Sequence, residues 1–162
     1  LLSNRYILAK VNSDVLGAEY ATALKNVMAI AVGIAHGLGY GDNFIAVLVS
    51  NALKEIERFV NTLHPHQRNI TDYVYLGDLL VTCYSQYSRN RTLGLMLGKG
   101  YSIKAAQLEM NMVAEGYYAV KSIVKIANEN KIEMPISQTV YHILYERYSP
   151  TIEMRLLTDK LQ

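Results

Sequence analysis

The stretch Leu24-Lys25-Asn26-Val27-Met28-Ala29-Ile30-Ala31-Val32-Gly33-Ile34-Ala35-His36-Gly37 decides the fold of this 162-residue chain. Around it, Tyr20, Ala23, Leu24, Val27, Ile30, Ala31, Ile34 and Leu38 recur at threes and fours, the spacing of a helical face. Ser13 or Asp14 stands where a cap belongs, and the glycines at 37, 39 and 41 end the helix. A surface helix would keep one polar side, whereas this one is apolar on nearly every side, which predicts a central element. Its longest unbroken apolar run, Val27 to Ala35, is about half of what a bilayer span requires, so the expectation is a buried helix and no membrane span.

Downstream, Asp42 or Asn43 is expected to cap a second helix. Its Ile45, Leu48, Val49, Ala52, Leu53, Ile56, Val60 and Leu63 form one stripe, with Lys54, Glu55, Glu57 and Arg58 mostly opposite. His64-Pro65-His66 breaks that helix. The stretch from Tyr73 to Gly100 reads as short helices punctuated by Gly77, Gly94, Gly98 and Gly100. Ser102 caps a brief helix over Ala105 and Leu108, and Val113, Gly116, Tyr117, Val120, Ile123, Val124 and Ala127 mark another, ended near Asn128 to Asn130. Pro135 opens one through Tyr145, and Ser149-Pro150 opens the last, through Leu161. Upstream, Arg5 to Val11 is strand-like. Residues 1–13 therefore read as the stub of a preceding domain or a linker, and 14–162 as one all-α domain.

Composition narrows the function. With 16 Lys+Arg against 14 Asp+Glu, a net charge of +2 and no dense basic cluster, the chain lacks the face that a nucleic-acid binder needs. At 51% apolar it has core enough to stand without disulfides or structural metal. The single cysteine, Cys83, excludes an internal disulfide and fits a reducing, cytoplasmic setting. His36, His64, His66 and His142 match no metal-ligand spacing, so no metal is assigned. Leu1 to Lys10 shows no signal-peptide pattern and no start Met, as expected of a piece cut from something longer.

Between Glu19 and Asp42 the only formal charge is Lys25. An amine so placed either snorkels to water or sits desolvated, where it becomes a usable proton donor and acceptor. Asp78 poses the same question as the sole charge between Asp72 and Arg89; it either pairs with a cation, Lys25 being the obvious one, or caps a short helix after Gly77. Ser88-Arg89-Asn90-Arg91 sets two guanidinium groups beside a hydroxyl and an amide. That suits a phosphate grip by forked hydrogen bonds, though a solvated helix start capped by Ser88 has the same sequence. Glu115 lies off its helix stripe near the start, as a dipole-facing surface carboxylate also would. Cys83 reads as a small buried apolar residue, and the thirteen tyrosines as wedges in helix contacts. No Gly-rich dinucleotide fingerprint follows a strand, so most of any nucleotide site lies elsewhere.

Taken in order, Ala23-Leu24-Lys25-Asn26-Val27, Gly37-Leu38-Gly39-Tyr40-Gly41-Asp42-Asn43, Gly77-Asp78-Leu79-Leu80-Val81-Thr82-Cys83, Ser88-Arg89-Asn90, Glu115-Gly116 and Met134-Pro135-Ile136 carry a likeness. Over about Asp14 to Tyr145 the chain resembles the C-terminal helical domain of bacterial-type NAD(P)-dependent glycerol-3-phosphate dehydrogenases. The resemblance implies hydride transfer between NAD or NADP and carbon 2 of glycerol 3-phosphate, with Lys25 as the catalytic proton acceptor. It implies Lys25, Asp78, Ser88, Arg89 and Asn90 at the substrate, and Arg89, Val113 and Glu115 at the cofactor. It also implies a Rossmann domain ahead of this chain, an inactive isolated fragment and a role in glycerophospholipid synthesis; a homodimer is expected as well, though no exposed stripe identifies its face. A same-fold dehydrogenase of another small hydroxy acid and a non-catalytic helical association module are the alternatives. Three places depart from the family pattern: His36 where an acid is usual, Tyr75 where a glycine is usual, and Thr62 to Thr71 without the customary glycines.

Overall fold

The computed structural model describes residues 2–110 and 112–161, and every described element is helical. In chain order these are α1 (Val15–Gly37), α2 (Asp42–Leu63), α3 (Asp78–Tyr84), α4 (Arg89–Gly98), α5 (Ile103–Glu109), α6 (Glu115–Glu129), α7 (Pro135–Tyr141) and α8 (Pro150–Thr158). Two π-turns, Tyr73–Gly77 and His142–Glu146, run into α3 and out of α7. The all-α expectation holds.

Among the described residues α1 is the one helix long and apolar enough to cross a membrane, but it is the core. α2, α3, α4, α6 and α7 all pack on it, and Leu24, Val27 to Ala31, Ile34 and Ala35 are buried around its circumference. Asp14 caps it by accepting from the Gly17 backbone N–H at 3.1 Å.

The closest crossing is that of α1 with α4. A Cβ placed on Gly33 would lie 2.1 Å from the Arg91 carbonyl oxygen, and one on Gly94 would lie 2.1 Å from that of Ile30. Gly37 and Gly98 meet in the same way one turn on. Gly94 therefore does not punctuate a short helix, as its spacing suggests, but lies inside α4; Gly98 does end α4, and at both positions the absent side chain lets two backbones touch.

Other expectations are corrected. Arg5 to Val11 forms no strand: among the described residues no strand lies beside it, and it turns back on Asn4, whose Oδ1 accepts from the backbone N–H groups of Tyr6 and Ile7. α2 begins at Asp42 itself, so Gly41 holds the cap position and no side chain caps. Glu55 is buried, not on the solvated side of α2. Its carboxylate accepts from the backbone N–H groups of Ile136 (2.8 Å) and Ser137 (2.9 Å) and from the Ser137 hydroxyl (2.8 Å), closing the start of α7. Burial pushes that carboxyl up to about 7. The helix opened by Pro135 gives way after Tyr141 to the second π-turn, and α8 stops at Thr158.

Candidate functional site

Lys25 leaves α1 toward the start of α3, and its Nζ lies 2.5 Å from Asp78 Oδ2. The two side chains are 18% and 37% exposed, so the pair sits at the edge of the core, sealed on one side and open on the other. Both open readings are resolved by geometry. Lys25 does not reach for water alone. Asp78 does not cap α3, because the π-turn enters α3 with helical backbone at Gly77 and leaves no side-chain cap to be made. Thr82, one turn on, donates its hydroxyl to the Asp78 carbonyl at 2.7 Å.

Next to Lys25, Asn26 joins three helices. Its Oδ1 accepts from Asn90 Nδ2 at 2.9 Å and its Nδ2 donates to Glu115 Oε2 at 3.4 Å, while Asn90 Oδ1 accepts from the Gly116 N–H at 2.9 Å. Asn26 and Asn90 are both buried. Gly116 is needed there, since a Cβ on it would lie 2.7 Å from the Asn26 carbonyl oxygen. Ser88 caps α4, its Oγ accepting from the Arg91 N–H at 3.3 Å.

Arg89 follows as the first residue of α4, 42% exposed, with a guanidinium nitrogen 4.0 Å from Glu115 and another 3.5 Å from the Met112 sulfur. Glu115 opens α6 at 69% exposure, where its charge favourably meets the helix dipole. So Lys25 meets Asp78, while Asn90, Glu115 and Arg89 reach Lys25's neighbour on α1 by a chain of polar contacts. Val113 stands exposed at the rim of an apolar hollow of about 260 Å³ shared with Met110, Met112 and Tyr118.

Asn26 is the residue of this site that the sequence does not single out. The available signal was an amide beside the lone lysine of an otherwise apolar helix, which needs partners once buried. Cys83 is buried and its thiol is pushed up to about 12, which leaves no thiolate for nucleophilic work. Among the described residues no group of three or more His, Cys, Asp and Glu side chains gathers to hold a metal.

The fold recurs among solved dehydrogenases. Glycerol-3-phosphate dehydrogenase from Coxiella burnetii, 37% identical, superimposes with a TM-score of 0.88 over 91% of this chain and 45% of that one. The DsGPDH of Dunaliella salina, 25% identical, superimposes with a TM-score of 0.83 over 94% of this chain and 28% of that one. The family described as NAD-dependent glycerol-3-phosphate dehydrogenase C-terminus matches residues 14–155, and the chain belongs to that family. A curated relative from Staphylococcus aureus (strain JH9), named a glycerol-3-phosphate dehydrogenase of the NAD(P)+ type, is 44% identical over 149 residues, 92% of this chain and 45% of its own length. The chain thus spans less than half the length of the curated relatives it matches.

Proposed function

We propose that this chain is the substrate-binding half of an NAD(P)-dependent glycerol-3-phosphate dehydrogenase. Residues 14–162 form the helical domain, and 1–13 are the end of, or a link to, a dinucleotide-binding domain. The observation that carries the reading is the Lys25–Asp78 pair, a reachable amine held by one carboxylate at 2.5 Å on the central, buried helix of the fold.

In this reading Lys25 takes the proton of the C2 hydroxyl as the alcohol is oxidised and returns it in the reverse direction. Asp78 fixes the amine's direction by accepting its hydrogen bond. Arg89 grips the phosphate through forked, charge-assisted bonds, and Ser88, whose oxygen already caps α4, donates its hydroxyl hydrogen to the same group. Asn90 is largely committed to Asn26 and Gly116; it sets the start of α4 and has one further amide hydrogen for the substrate. Exposed Val113 beside the exposed Arg89 and Glu115 suits a ligand with a flat ring and a charged linker, so these three would hold the NAD(P) from this side. Hydride donation and acceptance at carbon 2 is the chemistry supplied by the nicotinamide when bound. A cytoplasmic homodimer feeding glycerophospholipid synthesis belongs to the same proposal.

Lys25→Met in the full-length protein tests it. Turnover of glycerol 3-phosphate should fall by about a thousandfold with the fold intact, the loss expected for a missing proton-transfer group. Unphosphorylated small hydroxy acids should be poor substrates of the unaltered enzyme. Near-normal turnover in the variant, or equal rates without the phosphate, refutes the reading.

A further inference from the structure

Among the described residues, Asp14, Arg68 and Tyr75 form an ionic cluster far more enclosed than the Lys25–Asp78 pair. Arg68 and Asp14 side chains are 2% and 4% exposed, and Tyr75 is equally enclosed. Arg68 Nε lies 2.7 Å from Asp14 Oδ2 and Nη2 lies 3.4 Å from Oδ1, a two-pronged grip. The same guanidinium donates to the His64 carbonyl at 2.9 Å and to the Asn61 side-chain oxygen. The Tyr75 hydroxyl donates to Asp14 Oδ2. With Arg68 beside it, the Asp14 carboxyl is held well below the usual carboxylate range, so it remains an ionised acceptor for both. Gly17 leaves the room: a Cβ there would lie 2.2 Å from Asp14 Oδ2 and 2.6 Å from the Tyr75 hydroxyl.

The placement gives this cluster a consequence for chemistry. Asp14 opens α1, and Lys25 follows on the same helix about three turns later, roughly 16 Å along the axis. Tyr75 lies inside the π-turn that runs unbroken into α3, three residues ahead of Asp78. One short turn is therefore fastened to α1 at two points, Tyr75 on Asp14 at one end and Asp78 on Lys25 at the other. The π-turn continues into α3 without a break, so Tyr75 and Asp78 belong to one backbone segment and a shift at the first contact is passed along the turn to the second.

We infer that Tyr75 is a positioning residue for Asp78, its hydroxyl locked by the buried Asp14–Arg68 pair so that the carboxylate meets Lys25 in one fixed geometry. The inference rests on the reading of Lys25 and Asp78 as the chemical pair. Tyr75 acts through the backbone of the turn and touches no reacting atom. Its removal alters the rate of the proton-transfer step and not the grip on the phosphate, which belongs to α4.

The test is a double-mutant cycle in the full-length protein, with melting temperature as the check on folding. Asp78→Asn should lower kcat for glycerol 3-phosphate by at least about a hundredfold. Tyr75→Phe, which removes one oxygen, should lower kcat about tenfold while KM changes by less than about twofold, and adding it to Asp78→Asn should cost nothing further. Should Tyr75→Phe be less stable, kcat and KM measured below its melting temperature read the same coupling, because the fold is then intact. Unchanged kcat in Tyr75→Phe, or losses that multiply in the double variant, overturns the inference while leaving the functional reading intact. Wild-type turnover in Asp78→Asn removes the functional reading itself, and the inference with it.

Discussion

Gly94→Ala puts the α1–α4 crossing to a quantitative test. In a solvent-facing helix the change would stabilise by about 1 kcal/mol, because alanine has less backbone freedom to lose than glycine. Here the added carbon would stand 2.1 Å from the Ile30 carbonyl oxygen and 2.8 Å from the Ile34 nitrogen. A carbon–oxygen contact settles near 3.3 Å, so α4 must retreat from α1 by roughly 1.2 Å. Both obstacles are backbone atoms of a buried helix, and no rotamer change relieves them. The retreat also loosens Leu93 and Leu97, which face the core from α4 on either side of Gly94. Overpacking of this kind costs about 1–3 kcal/mol before the loosened contacts are counted, so the net loss should be about 2–4 kcal/mol despite the better helix former. Urea unfolding followed by far-ultraviolet circular dichroism reads it as a lower midpoint at unchanged slope. Gly33→Ala should lose a similar amount, and the double variant less than the sum, because one separation serves both. A midpoint equal to or above that of the unaltered protein refutes the close crossing.

Three further outcomes are expected. Glu55→Ala leaves the N–H groups of Ile136 and Ser137 without an acceptor in a dry site and should cost about 3 kcal/mol in the same unfolding assay. Since burial raises the Glu55 carboxyl from 4.5 to about 7, the folded chain keeps a proton that the unfolded chain releases. Stability should therefore fall as pH rises through that window and then level, a slope that Glu55→Gln removes. Asp14 has the opposite sign: its carboxyl is lowered, so the stability it contributes is present above about 3.8 and drains away as pH falls further, and Asp14→Asn should flatten that acid limb. Cys83, buried with its thiol pushed up to about 12, should react with a thiol reagent only after unfolding; prompt labelling of the native protein contradicts its placement.

Much of the fold was legible because α1 announces itself: an apolar helix with one lysine must be wrapped by others. The caps Asp14, Ser88 and Ser102 were readable too, since capping is local chemistry. What escaped was set by partners far along the chain. Glu55 sits seven residues after Leu48 and three after Ala52, squarely in the buried register of α2, yet a carboxylate is accepted there only because the start of α7 supplies donors eighty residues on. Gly94 carries the same letter whether it ends a helix or lets two helices touch, and only the matching Gly33 on α1 decides which; Gly98 does both, ending α4 against Gly37. Arg5 to Val11 has strand composition but no described neighbour to pair with. The Lys25–Asp78 contact was one of two open readings, because no spacing rule links residues 53 positions apart. Tyr75 was visible as a departure from the family pattern, but its bond to Asp14 was not.

The side-chain-free crossing of α1 and α4 also governs how far apart the groups carried by the two helices can stand. Sliding between helices requires side chains that can re-seat, and here carbonyls abut carbonyl-bearing turns with nothing in between to rearrange. The amine of Lys25 hangs from one of these two rods and the guanidinium of Arg89 from the other, so their separation behaves as a ruler cut once by the backbone. On the proposed reading, a ligand whose reactive carbon and anionic end do not match that length would find no accommodation from these two helices, whose backbones cannot slide to meet it.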